Sequence, residues 1–246
     1  MQHCIPKIIH YCWFGRGPMP ELALNCIRSW KDYLPEYDYM LWNEDSFDVN
    51  SNNFVKEAYY QKKYAFVTDF VRLYALYHFG GIYMDTDVEV LRPLDGFLRF
   101  PAFSGFEIDE AIPTGIMGAE KGSSWVKREL AYYDNQSFIL SNGAFNMKPN
   151  VQIITEHAKE LGFVPNNQFQ IINGELAIFP KDYFCPKSYI DGKIYLTENT
   201  FTIHHFAGSW HTENHLLSIL KKCFGHTLGM RLFKFKNIIR KVFYRI

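Results

Sequence analysis

Two aspartates, Asp85 and Asp87, follow a short apolar run in the segment GGIYMDTDVEV, residues 80–90. Side chains alternate along a strand, so a continuous strand would place both carboxylates on one face, together with Tyr83 and Glu89. Two carboxylates on one face attract a hard cation such as Mg²⁺ or Mn²⁺, which keeps open positions for phosphate oxygens. The pattern therefore predicts a metal site that binds a diphosphate. A chain of 246 residues contains about one Asp-x-Asp by chance, so the surroundings of the motif have to support this prediction.

A second pair of charged residues lies on the helix expected before this strand. Asp69 and Arg72 are three residues apart and therefore share one helix face. One interpretation is a surface salt bridge, which contributes only a few tenths of a kcal/mol. The other is a carboxylate and a guanidinium that hold sugar hydroxyls and phosphate oxygens, because arginine presents a planar fork of donors. Local reasoning alone favours the salt bridge.

Two adjacent histidines, His204 and His205, are the next candidates. Neighbouring side chains on a strand point in opposite directions, so we expect at most one of them to be functional. His205 begins the segment HFAGSW, in which Gly208 would let the backbone approach a phosphate, while Ser209 and Trp210 offer hydrogen-bond donors. The sequence contains no P-loop and no GxGxxG pattern, so a metal would have to hold the phosphates.

The elements that must position these residues alternate between strand and helix. The patterns predict a strand within 7–15, a helix over 22–30, a strand at 39–42, and helices at 54–60 and 64–79. Gly80 and Gly81 are suited to end the last helix, directly before the aspartate strand. This alternation predicts an α/β protein with a parallel sheet. The topology of residues 94–180 stays open.

The charge of the chain is unevenly distributed. Residues 221–246 contain eight Lys or Arg and no acidic residue, which leaves 18 basic and 26 acidic residues in 1–220. Apolar residues recur every three or four positions near the end, so we predict a basic amphipathic helix. It could dock on an anionic membrane surface, or it could pack on its own domain or on a partner. The predicted domains are 1–220 and the tail 221–246.

The composition also limits the cellular locations that are expected for the protein. No apolar run reaches about 18 residues, no signal peptide opens the chain, and the five cysteines are scattered without metal or disulfide spacing. We therefore expect a cytoplasmic protein, peripheral on the inner face of the plasma membrane if the tail binds lipid. No nucleic-acid partner is expected.

Several segments resemble one known family. They are IPKIIHYCWFG at 5–15, SWKDYLPEY at 29–37, the run 64–93, GAEKG at 118–122 and TIHHFAGSW at 202–210. Together they resemble the DXD-containing sugar-binding-region glycosyltransferases, glycosyltransferase family 32, in its bacterial polysaccharide-synthesis branch. A wider similarity extends to the large clostridial glucosylating toxins. The resemblance covers nearly all of residues 1–211, and the tail lies outside it.

This resemblance implies a fold and an activity. The fold would be of the GT-A type, a single domain with a Rossmann-like, mostly parallel sheet flanked by helices, followed by the basic C-terminal helix. The activity would be transfer of a hexose or N-acetylhexosamine, with retention, from a nucleoside diphosphate sugar to an oligosaccharide or lipid-linked glycan. We expect a UDP-sugar before GDP-mannose, Mn²⁺ or Mg²⁺ as cofactor, and a role in the synthesis of a surface polysaccharide such as capsule or lipopolysaccharide.

The resemblance also assigns roles to individual positions. The donor-binding positions of the family correspond to Trp13, Asp69, Arg72, Tyr83, Asp85, Ser209 and Trp210. The metal-binding positions correspond to Asp85, Asp87 and His205, and the catalytic set to Asp69, Arg72, Asp85 and Asp87. No residue stands out as a nucleophile, which agrees with the same-face attack on the donor described for the family.

Two alternatives remain open at the level of the sequence. Asp85-Thr86-Asp87-Val88 after an apolar strand also fits the start of a haloacid-dehalogenase-like phosphatase. That class places the motif near the start of its domain and needs a later acidic pair, neither of which is found here. A non-catalytic glycan-binding or assembly protein on the same fold is the other alternative, and it would not need a metal and diphosphate site.

Overall fold

The structure is a computed structural model, and it describes residues 5–107, 111–188 and 191–208. The helices in these ranges are α1 (Glu21–Tyr33), α2 (Asn53–Tyr60), α3 (Tyr64–Phe79), α4 (Ser124–Ala131), α5 (Asn150–Glu160) and α6 (Lys181–Phe184). The strands are β1 (Ile8–Cys12), β2 (Asp38–Trp42), β3 (Gly81–Met84), β4 (Val88–Val90), β5 (Ala102–Gly105), β6 (Ile116–Ala119), β7 (Gln170–Ile172), β8 (Leu176–Phe179) and β9 (Thr202–His204). The predicted helices and strands of the first 80 residues are confirmed.

The chain divides into two compact units. The first comprises residues 1–187 and 194–206, and it contains every element named above; the second comprises 188–193 and 207–246. The predicted boundary at residue 220 and the basic helix lie outside the described residues, so both stay predictions. Within the described ranges, no helix is long and apolar enough to cross a bilayer.

A central seven-stranded sheet organises the first unit, in the order β2-β1-β3-β6-β5-β8-β7. β1 pairs in parallel with β2 and β3, and β5 pairs in parallel with β8. β6 runs antiparallel to both β3 and β5, and β7 antiparallel to β8. The α/β class is confirmed, but the sheet is mixed rather than mostly parallel. The reason is that β5 and β6 are joined by a loop, and a parallel pair would need a crossover element.

The aspartate segment is not one continuous strand. β3 ends at Met84, a turn closed by a hydrogen bond from the Val88 N–H to the Asp85 carbonyl follows (3.0 Å), and β4 begins at Val88. β4 leaves the large sheet and pairs antiparallel with β9. The expected alternation of Asp85, Asp87 and Glu89 on one strand face is therefore wrong, and a tight turn brings the two aspartates together instead.

Helix α3 supports the site from one face of the sheet. Its residues are apolar on most sides, which is typical of a helix buried within a domain, and most of them are buried. It ends at Gly80, whose φ of 67° suits glycine and whose N–H donates to Leu76. Strand residues alternate between two cores: Tyr83 packs in the core that contains α3, whereas Ile82 and Met84 pack in the core that contains Trp30 of α1.

One edge of the sheet collects the residues that can do chemistry. Because β1, β3, β5 and β8 run in the same direction, their carboxyl ends lie at one edge, and the antiparallel β6 begins there. Ligands of open α/β sheets bind beyond the carboxyl ends of their strands. Trp13, Asp85, Glu107 and Lys181 all come within two residues of such a strand end.

Candidate metal and donor site

Three potential metal ligands converge beside the turn between β3 and β4. One ligand atom each from Asp85, Asp87 and His204 lie within 4.8 Å of one another. The Nε2 atom of His204 is 3.3 Å from Oδ1 of Asp87 and 3.9 Å from Oδ2 of Asp85. These side chains are between 11% and 26% exposed, so the group is sheltered and still open to a ligand.

His204 reaches this position through strand pairing and a glycine. β9 places His204 directly opposite Val88, the residue that follows Asp87. A Cβ atom on Gly115 would lie 2.6 Å from Cε1 of His204, so only glycine leaves room for the imidazole ring. The carbonyl of Gly115 also accepts a hydrogen bond from the Asp85 N–H at 2.8 Å. The start of β6 therefore holds both the turn and the histidine.

The two adjacent histidines have different surroundings, as the strand geometry requires. His205 Nε2 lies 2.8 Å from Oε2 of Glu89, and the His205 N–H donates to the Asp87 carbonyl at 2.9 Å. The structure brings His204, and not the predicted His205, to the aspartates. The assignment of His205 as a metal ligand stays a prediction that this geometry does not favour.

Asp69 and Arg72 form a buried pair and not a surface salt bridge. Their side chains are 12% and 6% exposed, and Nη2 of Arg72 lies 3.3 Å from Oδ1 of Asp69. Nη1 of Arg72 donates to the Thr114 carbonyl at 2.8 Å, and Nε donates to the Thr68 carbonyl at 3.3 Å. Nη2 also lies 3.5 Å from Oδ1 of Asp85. The guanidinium is thus fixed at the edge of the proposed metal group.

Burial changes the proton affinity of Asp69. Loss of water raises its pKa to about 6, although the Arg72 charge and the backbone N–H of Asn150 work in the opposite direction. That N–H donates to Oδ2 of Asp69 at 3.2 Å, and the Asn150 side chain donates to the Asp69 carbonyl and to the Tyr133 hydroxyl. Asp69 is therefore held from α3 and from the start of α5.

Tyr83 orients the first aspartate. Its hydroxyl donates to Oδ1 of Asp85 at 2.7 Å, and the guanidinium of Arg72 lies 4.8 Å from the centre of its ring. A cation over an aromatic face is attracted by the ring, so Tyr83 contacts both charges. The predicted neighbours Asp69, Arg72, Tyr83 and Asp85 thus form one connected network.

Trp13 lies one residue beyond β1, at the same edge of the sheet. It is partly buried, and its indole N–H donates to the Gly17 carbonyl at 2.7 Å. The N–H of Gly15, which has a φ of 96°, donates to the Glu44 carboxylate at 2.6 Å and holds the loop. Packing of a nucleotide base on the Trp13 ring stays a prediction. Ser209 and Trp210 lie outside the described residues.

Some residues of this site carry no clear sequence signal. Thr114 contributes its carbonyl to Arg72, and Gly115 contributes the space for His204. Glu107 brings a further carboxylate to the same edge. The pairings of β6 with β3 and β5, and of β9 with β4, reveal these roles, and none of these pairings follows from local periodicity.

The residues present fit a divalent cation. Two carboxylates and one imidazole nitrogen are suitable donors, and an oxygen-rich set of this kind suits Mn²⁺ or Mg²⁺. Nε2 of His204 is the nitrogen that faces the two carboxylates, and Nδ1 is buried.

Comparisons with known proteins agree with this chemistry. Residues 20–104 match the family described as "Glycosyltransferase sugar-binding region containing DXD motif". This match supports the family indicated by the resemblance, and it includes Asp69, Arg72, Asp85 and Asp87. The mixed α/β sheet with helices on both faces is consistent with the GT-A fold that the resemblance implies.

The curated relatives are much longer than the part that this chain matches. Inositol phosphoceramide mannosyltransferase 3 of Schizosaccharomyces pombe is 35% identical over 122 residues, which are 48% of this chain and 34% of the relative. Mannosyl phosphorylinositol ceramide synthase CSH1 of Saccharomyces cerevisiae is 32% identical over 127 residues, 48% of this chain and 31% of the relative. The chain thus spans about a third of the length of these relatives. Both are fungal, so they lend no support to the bacterial polysaccharide branch.

A solved structure titled PaToxG Glycosyltransferase superposes with a TM-score of 0.47 and 16% sequence identity. The superposition covers 64% of this chain and 72% of that chain.

Proposed function

We propose that this protein transfers a sugar from a nucleoside diphosphate donor to a hydroxyl group of an acceptor. The observation that carries the proposal is the convergence of Asp85, Asp87 and His204 beside the fixed guanidinium of Arg72. A departing diphosphate is a strong anion, and this edge of the sheet offers both a cation site and a positive side chain. The family match over residues 20–104 supports the same activity.

Asp85, Asp87 and His204 would hold Mn²⁺ or Mg²⁺. When bound, the metal neutralises negative charge that builds up on the diphosphate as the bond to the sugar breaks. The protein contributes the geometry, because the Tyr83 hydroxyl fixes Oδ1 of Asp85 and Gly115 leaves space for the imidazole ring. Groups fixed before the reaction stabilise charge without reorganising, which is a large part of enzymatic rate enhancement.

Arg72 adds a second positive charge next to this group. Two backbone carbonyls and Asp69 fix its orientation, so it can face an anionic ligand without losing its own contacts. Asp69 would lie on the side of the site that faces the donor sugar. Trp13, at the end of the neighbouring strand, would pack against the base. The roles of Ser209 and Trp210 at the diphosphate, and retention at the anomeric carbon, are implied by the resemblance and belong to this proposal.

The identity of the donor and the identity of the acceptor are separate proposals, and they rest on different observations. The resemblance predicted a UDP-sugar, whereas the two fungal relatives are named for mannose transfer, which makes mannose the sugar that the relatives favour. The same names point to an inositol phosphoceramide acceptor in those proteins. We propose a lipid-linked glycan or phosphoinositol headgroup as acceptor class here, reached from the cytoplasmic side of a membrane.

Hydrolysis of a donor panel tests the activity. Purified protein is incubated with UDP-glucose, UDP-galactose, UDP-N-acetylglucosamine and GDP-mannose, with Mn²⁺ or with EDTA, and released nucleotide is measured. We expect metal-dependent cleavage of one donor, at least about a hundredfold slower in Asp87→Ala because a ligand is lost. The matched control is Asp134→Ala, an exposed aspartate outside the site, which should behave as wild type.

Two outcomes would contradict the proposal. One is cleavage that continues unchanged in EDTA and in Asp87→Ala. The other is the absence of both cleavage and Mn²⁺-dependent nucleotide binding in the wild type, which would favour a non-catalytic protein. In a separate assay, metal-dependent release of phosphate from p-nitrophenyl phosphate would instead support the phosphatase alternative.

A further inference from the structure

Glu107 is a nearly buried carboxylate whose side chain has no hydrogen-bond or ion-pair partner within the described parts of the chain. It lies two residues beyond the end of β5 and is 9% exposed. Its backbone N–H donates to the Ala111 carbonyl at 3.0 Å. Among the described residues, its side chain makes no hydrogen bond and no ion pair within 4 Å. A nearly buried carboxylate without donors among the described residues keeps its full capacity to accept hydrogen bonds from a ligand.

The position of Glu107 joins it to the proposed site. β5 runs parallel to β3 with β6 between them, so Glu107 and Asp85 lie at the same edge of the sheet. The carboxylate is close enough to interact electrostatically with His204, Asp85, Lys181 and Arg72. Burial raises its pKa, the charge of Asp85 adds to that rise, and the positive charges of Lys181 and Arg72 oppose it.

The neighbours of Glu107 restrict what it can bind. The three ligand atoms that converge on the metal position come from Asp85, Asp87 and His204, and Glu107 is not one of them. A diphosphate held there would be repelled by a further carboxylate, whereas the hydroxyl groups of the attached sugar are neutral donors. A carboxylate has two oxygens and can accept from two neighbouring hydroxyls at once.

We propose that Glu107 binds hydroxyl groups of the donor sugar and thereby selects which sugar is accepted. This inference rests on the proposed function, because it assumes a nucleoside diphosphate sugar at the metal site. A site built to bond a hydroxyl rejects analogues that lack it, since its buried polar group is then left unpaired. Glu107 would therefore act on sugar specificity and not on nucleotide binding.

The test combines a protein change with a substrate change. The donor cleaved by the wild type and its deoxy analogues, each lacking one sugar hydroxyl, are hydrolysed by wild type, Glu107→Gln and Glu107→Ala. Binding of the corresponding nucleoside diphosphate with Mn²⁺ is measured in parallel. The matched control is Glu120→Gln, a glutamate that directly follows β6 and lies at the opposite edge of the sheet.

We expect Glu107→Ala to lower kcat/KM for the full donor by about tenfold to a hundredfold. Wild type should reject one or two deoxy analogues, and the variant should no longer distinguish them from the full donor. Glu107→Gln keeps one acceptor oxygen and should show a smaller loss. The nucleoside diphosphate should bind all variants within about twofold of the wild type.

Three results would overturn the inference. Equal losses for the full donor and every deoxy analogue would mean that Glu107 contacts no sugar hydroxyl. Weakened binding of the nucleoside diphosphate would place its effect on the metal or phosphate region. Wild-type kinetics in Glu107→Ala would remove any role for it. In all three cases the wild type still cleaves its donor, so the proposed function stands; a wild type that neither binds nucleotide nor cleaves any donor overturns both.

Discussion

Nη2 of Arg72 lies 3.5 Å from Oδ1 of Asp85, although the two residues belong to a helix and to a turn on the next strand. The same nitrogen lies 3.3 Å from Oδ1 of Asp69. Arg72 thus links the buried helix residue to the first aspartate of the motif. We expect a substitution at any one of these three residues to alter the hydrogen bonding and the electrostatic environment of the other two.

Replacing Arg72 separates its structural role from its proposed catalytic one. Arg72→Ala leaves Asp69 and the Thr114 carbonyl without their partner, so we expect a loss of about 3–5 kcal/mol in the free energy of unfolding. Arg72→Lys keeps the charge and should recover part of the stability, while donor cleavage stays strongly reduced because the planar fork is lost. Urea unfolding and donor hydrolysis measure the two effects.

An exposed ion pair provides the reference for the stability loss expected in Arg72→Ala. Arg16 pairs with Asp45 at 2.7 Å, and both side chains are more than 60% exposed. Arg16→Ala should change the free energy of unfolding by less than about 1 kcal/mol and leave cleavage unaltered. If Arg72→Ala also lowered the free energy of unfolding by less than about 1 kcal/mol, the buried pair of Arg72 and Asp69 would contribute no more than a surface salt bridge.

Removing the hydroxyl of Tyr83 should weaken metal binding. Tyr83→Phe keeps the ring but takes away the hydrogen bond to Oδ1 of Asp85. Loss of a hydrogen bond that orients a ligand typically costs about tenfold or more in metal affinity, which titration with Mn²⁺ would detect. Tyr39→Phe is the control, because that hydroxyl donates to the Leu34 carbonyl away from the site. Equal Mn²⁺ affinity in both variants would contradict the orienting role.

The space beside His204 can be tested without touching a ligand. Gly115→Ala would place a Cβ atom 2.6 Å from Cε1 of His204, so the ring has to move. We expect weaker Mn²⁺ binding and slower donor cleavage, with circular dichroism unchanged. Gly96→Ala serves as the control, since no atom lies within 4 Å of its added Cβ. Normal Mn²⁺ affinity in Gly115→Ala would show that the ring position is not critical.

Variants of the two histidines decide between the sequence prediction and the structure. His204→Ala should lower Mn²⁺ affinity by at least about tenfold, because Nε2 faces both aspartates. His205→Ala removes the contact with Glu89 and should have a much smaller effect. The reverse order of affinities would support the family-based assignment of His205.

The free energy of unfolding should depend on pH through a second buried carboxyl group, that of Glu129, which is not part of the proposed site. Glu129 is 1% exposed, and burial raises its pKa from 4.5 to about 7, although the contact with His157 at 2.7 Å lowers it. The folded state then holds a proton that the unfolded state has lost, so stability present below pH 4.5 is lost as the pH rises toward 7. At about 1.4 kcal/mol per pKa unit, the change approaches about 3 kcal/mol.

Glu129→Gln isolates that contribution. In the wild type, the free energy of unfolding should decrease between pH 4.5 and 7, and most of this decrease should be absent in Glu129→Gln. Measuring the free energy of unfolding at several pH values tests this. Asp69 has a pKa raised to about 6 for the same reason, so a smaller slope of the same sign should persist. An unchanged slope in the variant would refute the assignment to Glu129.

The local parts of the site were predictable and the long-range parts were not. Helical spacing placed Asp69 and Arg72 on one face of α3, and the glycine pair marked its end. The choice between His204 and His205 depends on which side of β9 meets β4, and this follows only from strand register. Glu107 was missed because its neighbours arrive from β3, α3 and β9, and no local pattern connects these segments.

The pairing of β9 with β4 has a consequence for synthesis of the protein. The ribosome delivers Asp85 and Asp87 more than a hundred residues before His204. During that interval the nascent chain can form α3, β3 and the turn, yet its cation site lacks the imidazole. Full metal affinity should therefore arise as a late folding event, when β9 docks on β4, which would keep partly made chains from binding and consuming the donor.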